Sequence, residues 1–189
     1  MLEQLNHIDT EIFLFLNGRH NSFFDNVMYW VSIPAIWVPL YLFFIYLFYR
    51  FFKTKFWIPL LVLAATVGLA DWISVHAFKE VFMRLRPCHN PELRDLVHIV
   101  RDHCGGEYGF VSSHAANTFA VAGFMFWVLK GRFRYAGFLL LFWGILVGYS
   151  RIYLGVHYPG DVLGGALLGI VISSGTYFML RRFYPSLLQ

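Results

Sequence analysis

A histidine and an aspartate four residues apart lie between two strongly apolar segments near the end of the chain. His157 and Asp161 belong to the stretch 150–161, which also contains Arg151. Ionisable side chains at a membrane boundary are costly and are usually kept for function. A histidine held in one tautomer by a carboxylate could act as a nucleophile. The alternative is a polar loop whose charges only satisfy one another.

Two earlier groups of polar residues could complete such a site. Lys79 and Arg86 follow one apolar block, and Ser112, Ser113 and His114 precede another. Singly, each group has an ordinary explanation as an interfacial anchor, a helix cap or a packed histidine. Together they match displacement at phosphorus, which requires a nucleophile, a proton donor for the leaving oxygen and fixed positive charge around the phosphoryl oxygens.

The composition places these residues in a membrane. The chain has 189 residues, of which 58% are hydrophobic and 14% are charged, against about 25% charged in a typical soluble domain. The apolar residues form blocks, which predicts an integral membrane protein with one domain over residues 1–189. Because the basic residues form no continuous face, a nucleic-acid partner is excluded.

Residues 1–20 have apolar positions at helical spacing with polar residues between them. They have no Lys or Arg before Arg19, unlike a signal peptide. This pattern predicts an amphipathic helix in the membrane interface, and a helix packed against the bundle is the alternative.

Later blocks are long enough to cross a hydrocarbon core, which takes roughly 20 residues. They cover about 27–49, 56–78, 113–129, 135–152 and 162–180. The sequence therefore predicts an all-α, polytopic membrane bundle of five or six transmembrane helices with an N-terminal amphipathic helix. Glycines four residues apart predict close helix contacts. These glycines are Gly144 with Gly148, Gly160 with Gly164, and Gly165 with Gly169.

The charges of the connections predict the orientation. Basic residues fill the turns at 50–55 and 130–134 and follow the last block at 181–182, without an acidic residue among them. The positive-inside rule makes these turns cytoplasmic. The polar groups that could do chemistry then share the opposite side, which faces the periplasm or the exterior.

Taken together, these motifs resemble the type 2 phosphatidic acid phosphatase family. Its signature is K-x6-R-P, then P-S-G-H, then S-R-x5-H-x3-D, and the resemblance covers roughly residues 56–180. Val111 and Ser113 stand where the family has proline and glycine. The matching positions are Lys79, Arg86 and Pro87, then Ser112 and His114, then Ser150, Arg151, His157 and Asp161.

The resemblance implies a role for each residue. His157 would form a phosphohistidine, Asp161 would orient it, and His114 would protonate the leaving oxygen and then activate water. The phosphate would be held by the side chains of Lys79, Arg86, Ser112 and Arg151, and by Ser113 and the backbone amides at the start of the block 113–129. This chemistry implies a metal-independent phosphatase without a cofactor.

The remaining potential ligands do not suggest a metal site. Cys88 and Cys104 are the only cysteines, and in an oxidising compartment they could form a disulfide, with two unpaired thiols as the alternative. His89, His98 and His103 lack compact ligand spacing with Cys104.

A site at the membrane boundary indicates a phosphate carried on a lipid. Members of the family with this size act on undecaprenyl diphosphate, phosphatidylglycerol phosphate, phosphatidic acid or lipid A phosphates. The first expectation is a polyprenyl or glycerolipid phosphatase of a bacterial cytoplasmic membrane, and the alternative is a lipid A phosphatase. A hypothesis of another class is a non-catalytic lipid-phosphate binder or flippase-like protein, against which intact His157, Asp161 and His114 argue.

Overall fold

Helices dominate the part of the chain that the computed structural model describes, residues 2–102 and 104–187. Within these ranges the β-structure is an isolated bridge between Leu85 and Tyr108. The α-helices are α1 (Leu2–Asn17), α2 (Ser22–Ser32), α3 (Val38–Phe52), α4 (Trp57–Ile73), α5 (Glu80–Phe82), α6 (Ser113–Leu129), α7 (Ala136–Tyr153) and α8 (Pro159–Phe183). Short 3₁₀ segments lie at Pro34–Trp37, Lys53–Lys55, Pro87–His89 and Pro185–Leu187, and a π-helical segment, Ser74–Lys79, joins α4 to α5.

Four helical stretches are long and apolar enough to cross a membrane by their length and composition. They are Pro34–Lys55, Trp57–Phe82, Ala136–Tyr153 and Pro159–Phe183. Helix α6, predicted as a further span, has 17 residues, and it packs against α4, α7 and α8 with most of its side chains buried. The predicted all-α membrane helix bundle is confirmed, with α6 at its centre.

The predicted span 27–49 is wrong at its start, because two separate elements occupy it. Helix α2 ends at Ser32, and Ile33 has an extended backbone with φ −82° and ψ 120°. A proline disfavours the helical conformation of the residue before it, so Pro34 ends α2 and begins the next segment.

Helix α1 packs against the bundle, which was the alternative to a purely interfacial helix. Phe13 is fully buried, and its ring centroid lies 5.4 Å from that of Tyr158. The buried Asn17 donates a hydrogen bond to the Tyr153 carbonyl at 2.8 Å. The opposite face of α1 exposes large apolar side chains that an interfacial helix also requires. They are Leu5, Ile8, Ile12 and Phe15.

The basic turns meet at one end of the bundle. The Arg132 guanidinium lies 5.1 Å from the centroid of the Phe51 ring, and the rings of Phe51 and Phe133 are 6.2 Å apart. The turn after α3 and the turn after α6 therefore share one end. The polar motif residues lie at the other.

Glycines of α8 allow its close approach to α6. A Cβ on Gly169 would collide with the Ala116 carbonyl oxygen and would lie 2.7 Å from the Ala120 amide nitrogen. A Cβ on Gly165 would collide with the Ser112 carbonyl oxygen. Because both obstacles are backbone atoms, they cannot turn away, and the contact between α6 and α8 requires glycine.

Gly169→Ala should separate these helices and destabilise the fold. Overpacking of a close contact costs about 1–3 kcal/mol, so we expect a lower thermal midpoint in detergent. The matched control on the same helix is Gly175→Ala, because an added Cβ there meets no atom within 4 Å. Equal midpoints for the two variants would contradict this account of the packing.

Candidate active site

The loop between α7 and α8 holds His157 against the start of α8. Gly155 has φ +78°, and a Cβ there would lie 2.6 Å from the His98 carbonyl oxygen. The amide of His157 donates to the Arg151 carbonyl at 3.2 Å. Asp161, in the first turn of α8, accepts a hydrogen bond from the Tyr158 amide through Oδ2 at 3.0 Å. The same oxygen lies 3.3 Å from His157 Nδ1.

The partners of His157 define which ring nitrogen carries the proton. Arg86 Nη1 lies 3.2 Å from His157 Nε2. Because a guanidinium only donates, Nε2 must be the acceptor, and the proton sits on Nδ1 facing Asp161. Burial, together with the positive charge of Arg86, lowers the pKa of His157 well below its ordinary value. The ring is therefore neutral at physiological pH, with a nucleophilic lone pair on Nε2.

Lys79, Arg86 and Arg151 form the cationic wall of the site. Lys79 Nζ donates to Ser113 Oγ at 2.6 Å, and Arg151 Nη1 donates to Ser32 Oγ. In the part of the chain that is described, none of the three lies within 4.0 Å of a carboxylate. The Nε atoms of both arginines are buried without a hydrogen-bond partner. Buried charges without partners are costly, so this wall is suited to an anion with several oxygens.

The start of α6 brings the second motif to the same place. Ser112 caps the helix, accepting from the Ala115 amide at 3.5 Å. Ser113, which replaces the family's glycine, accepts from Lys79 and bonds Ser74 Oγ at 2.7 Å, so its side chain holds a cation of the wall. His114 lies close enough to the three cations of the wall and to His157 for their charges to act on it. The structure thus brings together all the site residues that the sequence predicted.

Two residues outside the motifs support the carboxylate of Asp161. Arg84 donates to Asp161 Oδ1 through Nη1 and to Asp9 Oδ2 through Nη2, both at 2.8 Å. Asp9 also accepts from the Gly160 amide through Oδ1 at 2.7 Å. The chain Asp9–Arg84–Asp161–His157 therefore connects α1 to the candidate nucleophile. The sequence motifs include neither Asp9 nor Arg84. The one sequence signal for Arg84 is that it lies two residues before the motif residue Arg86.

An apolar cleft of about 640 Å³ reaches the site between α3, α4 and α6. Ser113 and His114 lie at its polar end, together with Asp71 and Asn117. Aromatic and aliphatic side chains line the rest. They include Trp37, Phe44, Phe48, Leu60, Leu63 and Val67. The cleft could hold a hydrocarbon chain beside the cationic wall.

The connection between α5 and α6 contains a disulfide between Cys88 and Cys104, with 6.0 Å between their Cα atoms. His89 lies close to both sulfurs, but disulfide sulfurs are not thiolate ligands. His98 instead contacts Asp25, with Nε2 3.0 Å from Oδ1. His103 lies outside the described residues. The expectation of no metal stays a prediction.

Comparison with known proteins gives one matching family. The model of the PAP2 superfamily matches residues 55–184. The lipid A 4'-phosphatase of Bacteroides thetaiotaomicron is 39% identical over 89% of this chain and 75% of that protein. The lipid A 4'-phosphatase of Porphyromonas gingivalis is 32% identical over 93% of this chain and 74% of that protein. The undecaprenyl-diphosphatase BcrC of Bacillus subtilis is 31% identical over 92% and 82%.

Two crystal structures have the same fold. The transmembrane PAP2-type phosphatidylglycerolphosphate phosphatase of Bacillus subtilis has a TM-score of 0.67 and 23% identity, covering 97% of this chain and 87% of that chain. Aquifex aeolicus LpxE has a TM-score of 0.64 and 23% identity, covering 88% and 93%. The similarity of fold extends over nearly the whole chain.

Asp9 should act as a positioning residue for the His157–Asp161 pair. We expect Asp9→Ala to lower kcat for phosphate release from a lipid phosphate by about tenfold to a hundredfold, because misplacing a reacting group carries a cost of that size. KM should change less. Glu11→Ala is the matched control, since Glu11 lies two residues away on α1 with its side chain 67% exposed.

A lower thermal midpoint with unchanged kcat would show that Asp9 only anchors α1. Asp9→Asn separates its two contacts, because it keeps an oxygen for the Gly160 amide and loses the charge that pairs with Arg84. The kcat of Asp9→Asn should lie between that of the unmodified chain and that of Asp9→Ala.

Proposed function

The chain belongs to the PAP2 superfamily, and from this membership and the geometry of the site we propose that it removes phosphate from a lipid A-type glycolipid. The chain is an integral membrane lipid phosphatase, a hydrolase of phosphoester bonds. The substrate, the residue roles and the mechanism that follow are parts of the proposal.

One observation carries the proposed reaction: three cations that form no ion pair with a described carboxylate lie around an oriented histidine, whose Nε2 faces one of them, Arg86. A phosphoryl group placed there would satisfy the unpaired donors of Arg86 and Arg151 and the charge of Lys79. Phosphoryl transfer depends on positioning and electrostatic stabilisation of this kind. A site evolved only to pack would not leave such charges buried and unpaired.

In the first step, Nε2 of His157 attacks phosphorus. The N–P bond forms as the bond to the lipid oxygen breaks. His114, in the protonated form that the negative charge of the bound phosphate would favour, donates its proton to that oxygen. The imidazolium that develops on His157 is stabilised by Asp161 through Nδ1–H. Asp161 stays in place because Arg84 and the Tyr158 amide bind its two oxygens.

In the second step, water attacks phosphorus on the phosphohistidine. His114, now neutral, accepts the proton of the water, and the N–P bond breaks. Inorganic phosphate leaves, and both histidines return to their starting states. Because protein groups supply every proton and positive charge, the proposed reaction needs neither a metal nor a cofactor.

The lipid is inferred from the cleft and from the relatives. A cleft lined by apolar side chains that ends at His114 would place the lipid chain in the bundle and its phosphate at the cationic wall. The sequence alone favoured a polyprenyl or glycerolipid phosphate. The two lipid A 4'-phosphatases among the relatives support putting lipid A first.

Undecaprenyl diphosphate is the second candidate substrate, because a relative that covers nearly the whole chain is an undecaprenyl-diphosphatase. A non-catalytic lipid-phosphate binder would also use the cationic wall. The orienting contacts on His157 and Asp161 argue against it, because binding alone does not require a histidine held in one tautomer.

The proposed setting is one membrane-embedded phosphatase domain over residues 1–189 in a bacterial cytoplasmic membrane. The basic turns favour the cytoplasm for one end of the bundle. The active site lies at the other end, beside the disulfide of Cys88 and Cys104. Disulfides persist in oxidising compartments such as the periplasm, which supports an active site on the periplasmic face.

Phosphate release by the purified full chain from a panel of lipid phosphates tests this function. We expect EDTA-resistant turnover, with the highest kcat/KM for lipid A. His157→Ala should abolish it, because the phosphoryl acceptor is lost. The control is His7→Ala, which removes a histidine whose side chain is 73% exposed.

Well-folded protein that binds these lipids and releases no phosphate would identify a binder. Turnover that survives in His157→Ala would leave a phosphatase and refute the proposed nucleophile. Turnover that EDTA removes would refute the metal-independent reaction.

A further inference from the structure

A carboxylate lies in the cleft, within a membrane-spanning helix. Asp71 of α4 lines the cleft, and its Oδ1 accepts a hydrogen bond from Asn117 Nδ2 of α6 at 3.0 Å. In the described ranges Asp71 has no basic side chain within 4.0 Å. Ionisable residues within membrane spans are expensive and mark functional sites. The proposed reaction does not use Asp71 or Asn117.

The pair offers hydrogen-bond acceptors to the cleft. The amide oxygen Oδ1 of Asn117 is buried without a partner, because its Nδ2 is directed to Asp71. A carboxylate also accepts hydrogen bonds at each of its two oxygens. A buried acceptor without a donor costs free energy. A ligand that completes this pair must therefore supply hydroxyl or amide N–H groups.

The pair lines the cleft together with His114, the proposed acid. Asn117 is one helical turn after His114 on α6, and both line the cleft. Ser74, one turn after Asp71, bonds Ser113 at the cationic wall. Asp71 is also close enough to Lys79 for its charge to act on that cation. When His114 protonates the leaving oxygen, the group that carries this oxygen lies beside Asp71 and Asn117.

We propose that Asp71 and Asn117 form a leaving-group subsite that selects an alcohol bearing hydroxyl or amide N–H donors and disfavours a leaving group that is itself a phosphate. The proposal rests on the proposed phosphatase function and on His114 as the acid. The negative charge of the Asp71 carboxylate would repel a second phosphate in the same cleft.

The chemistry of the leaving groups gives a ranking of substrates. The leaving group of an acylated glucosamine phosphate is a sugar that carries hydroxyl and amide N–H donors. The leaving group of phosphatidylglycerol phosphate is phosphatidylglycerol, whose terminal glycerol carries a free hydroxyl beside the one released. Phosphatidic acid leaves as diacylglycerol, which carries no donor besides the new hydroxyl. A polyprenyl diphosphate leaves as an anion that is rich in acceptors. The subsite therefore favours the sugar lipid and phosphatidylglycerol phosphate, and it disfavours the polyprenyl diphosphate.

Four variants of the full chain, each assayed on these four lipids, test the subsite. Asp71→Leu and Asn117→Leu should lower kcat/KM for the sugar and glycerol substrates by about tenfold to a hundredfold, the usual size of a lost hydrogen bond to a charged or buried group. Phosphatidic acid should change little. Asp71→Asn removes the charge with little change of shape, so it should raise kcat/KM for the polyprenyl diphosphate relative to the sugar lipid.

Glu80→Gln is the matched control, since Glu80 is an exposed carboxylate on α5 that does not line the cleft. It should leave the substrate ranking unchanged. A uniform loss on all four lipids, or no change of ranking in Asp71→Asn, overturns the subsite while the phosphatase stands. If the unmodified chain releases phosphate from none of the lipids, the proposed function fails first, and the subsite fails with it.

Discussion

Lys79, Arg86 and Arg151 share one pocket, and no described carboxylate lies within 4.0 Å of any of them. Holding three cations together costs free energy that the bundle must offset by its own packing. The close contact of α6 with α8 contributes to this, because it fixes Ser112 and Ser113 beside the loop of His157. The pocket is therefore arranged for a bound anion.

Asp161, the carboxylate that contacts the candidate nucleophile, forms its ion pair with Arg84 and not with a cation of the wall. Asp161 is fully buried, and one of its oxygens pairs with Arg84 while the other faces the Tyr158 amide and His157. Asp161 thus orients His157 and caps the start of α8. The positive wall remains free for phosphate. Asp9 extends the same arrangement to α1, so the N-terminal helix belongs to the support of the site.

The motif residues and the helical membrane fold could be predicted from the sequence, because both depend on local spacing and on apolar blocks. Asp9, Arg84 and the Asp71–Asn117 pair could not. Their partners lie 75, 77 and 46 residues away along the chain, and single polar residues in these positions have ordinary explanations as cap, anchor or surface group. The block 27–49 was predicted as one span, and the structure divides it because Pro34 disfavours the helical conformation of Ile33 and so ends α2.

The central claim is that His157 Nε2 receives the phosphoryl group, and trapping the intermediate tests it most directly. The purified chain would be mixed with lipid carrying a radioactive phosphate and quenched with alkali within one turnover. A phosphohistidine resists alkali and is hydrolysed by acid, so the account predicts alkali-stable, acid-labile label on the peptide that contains His157. Turnover without such label at any quench time, or label on another residue, would contradict it.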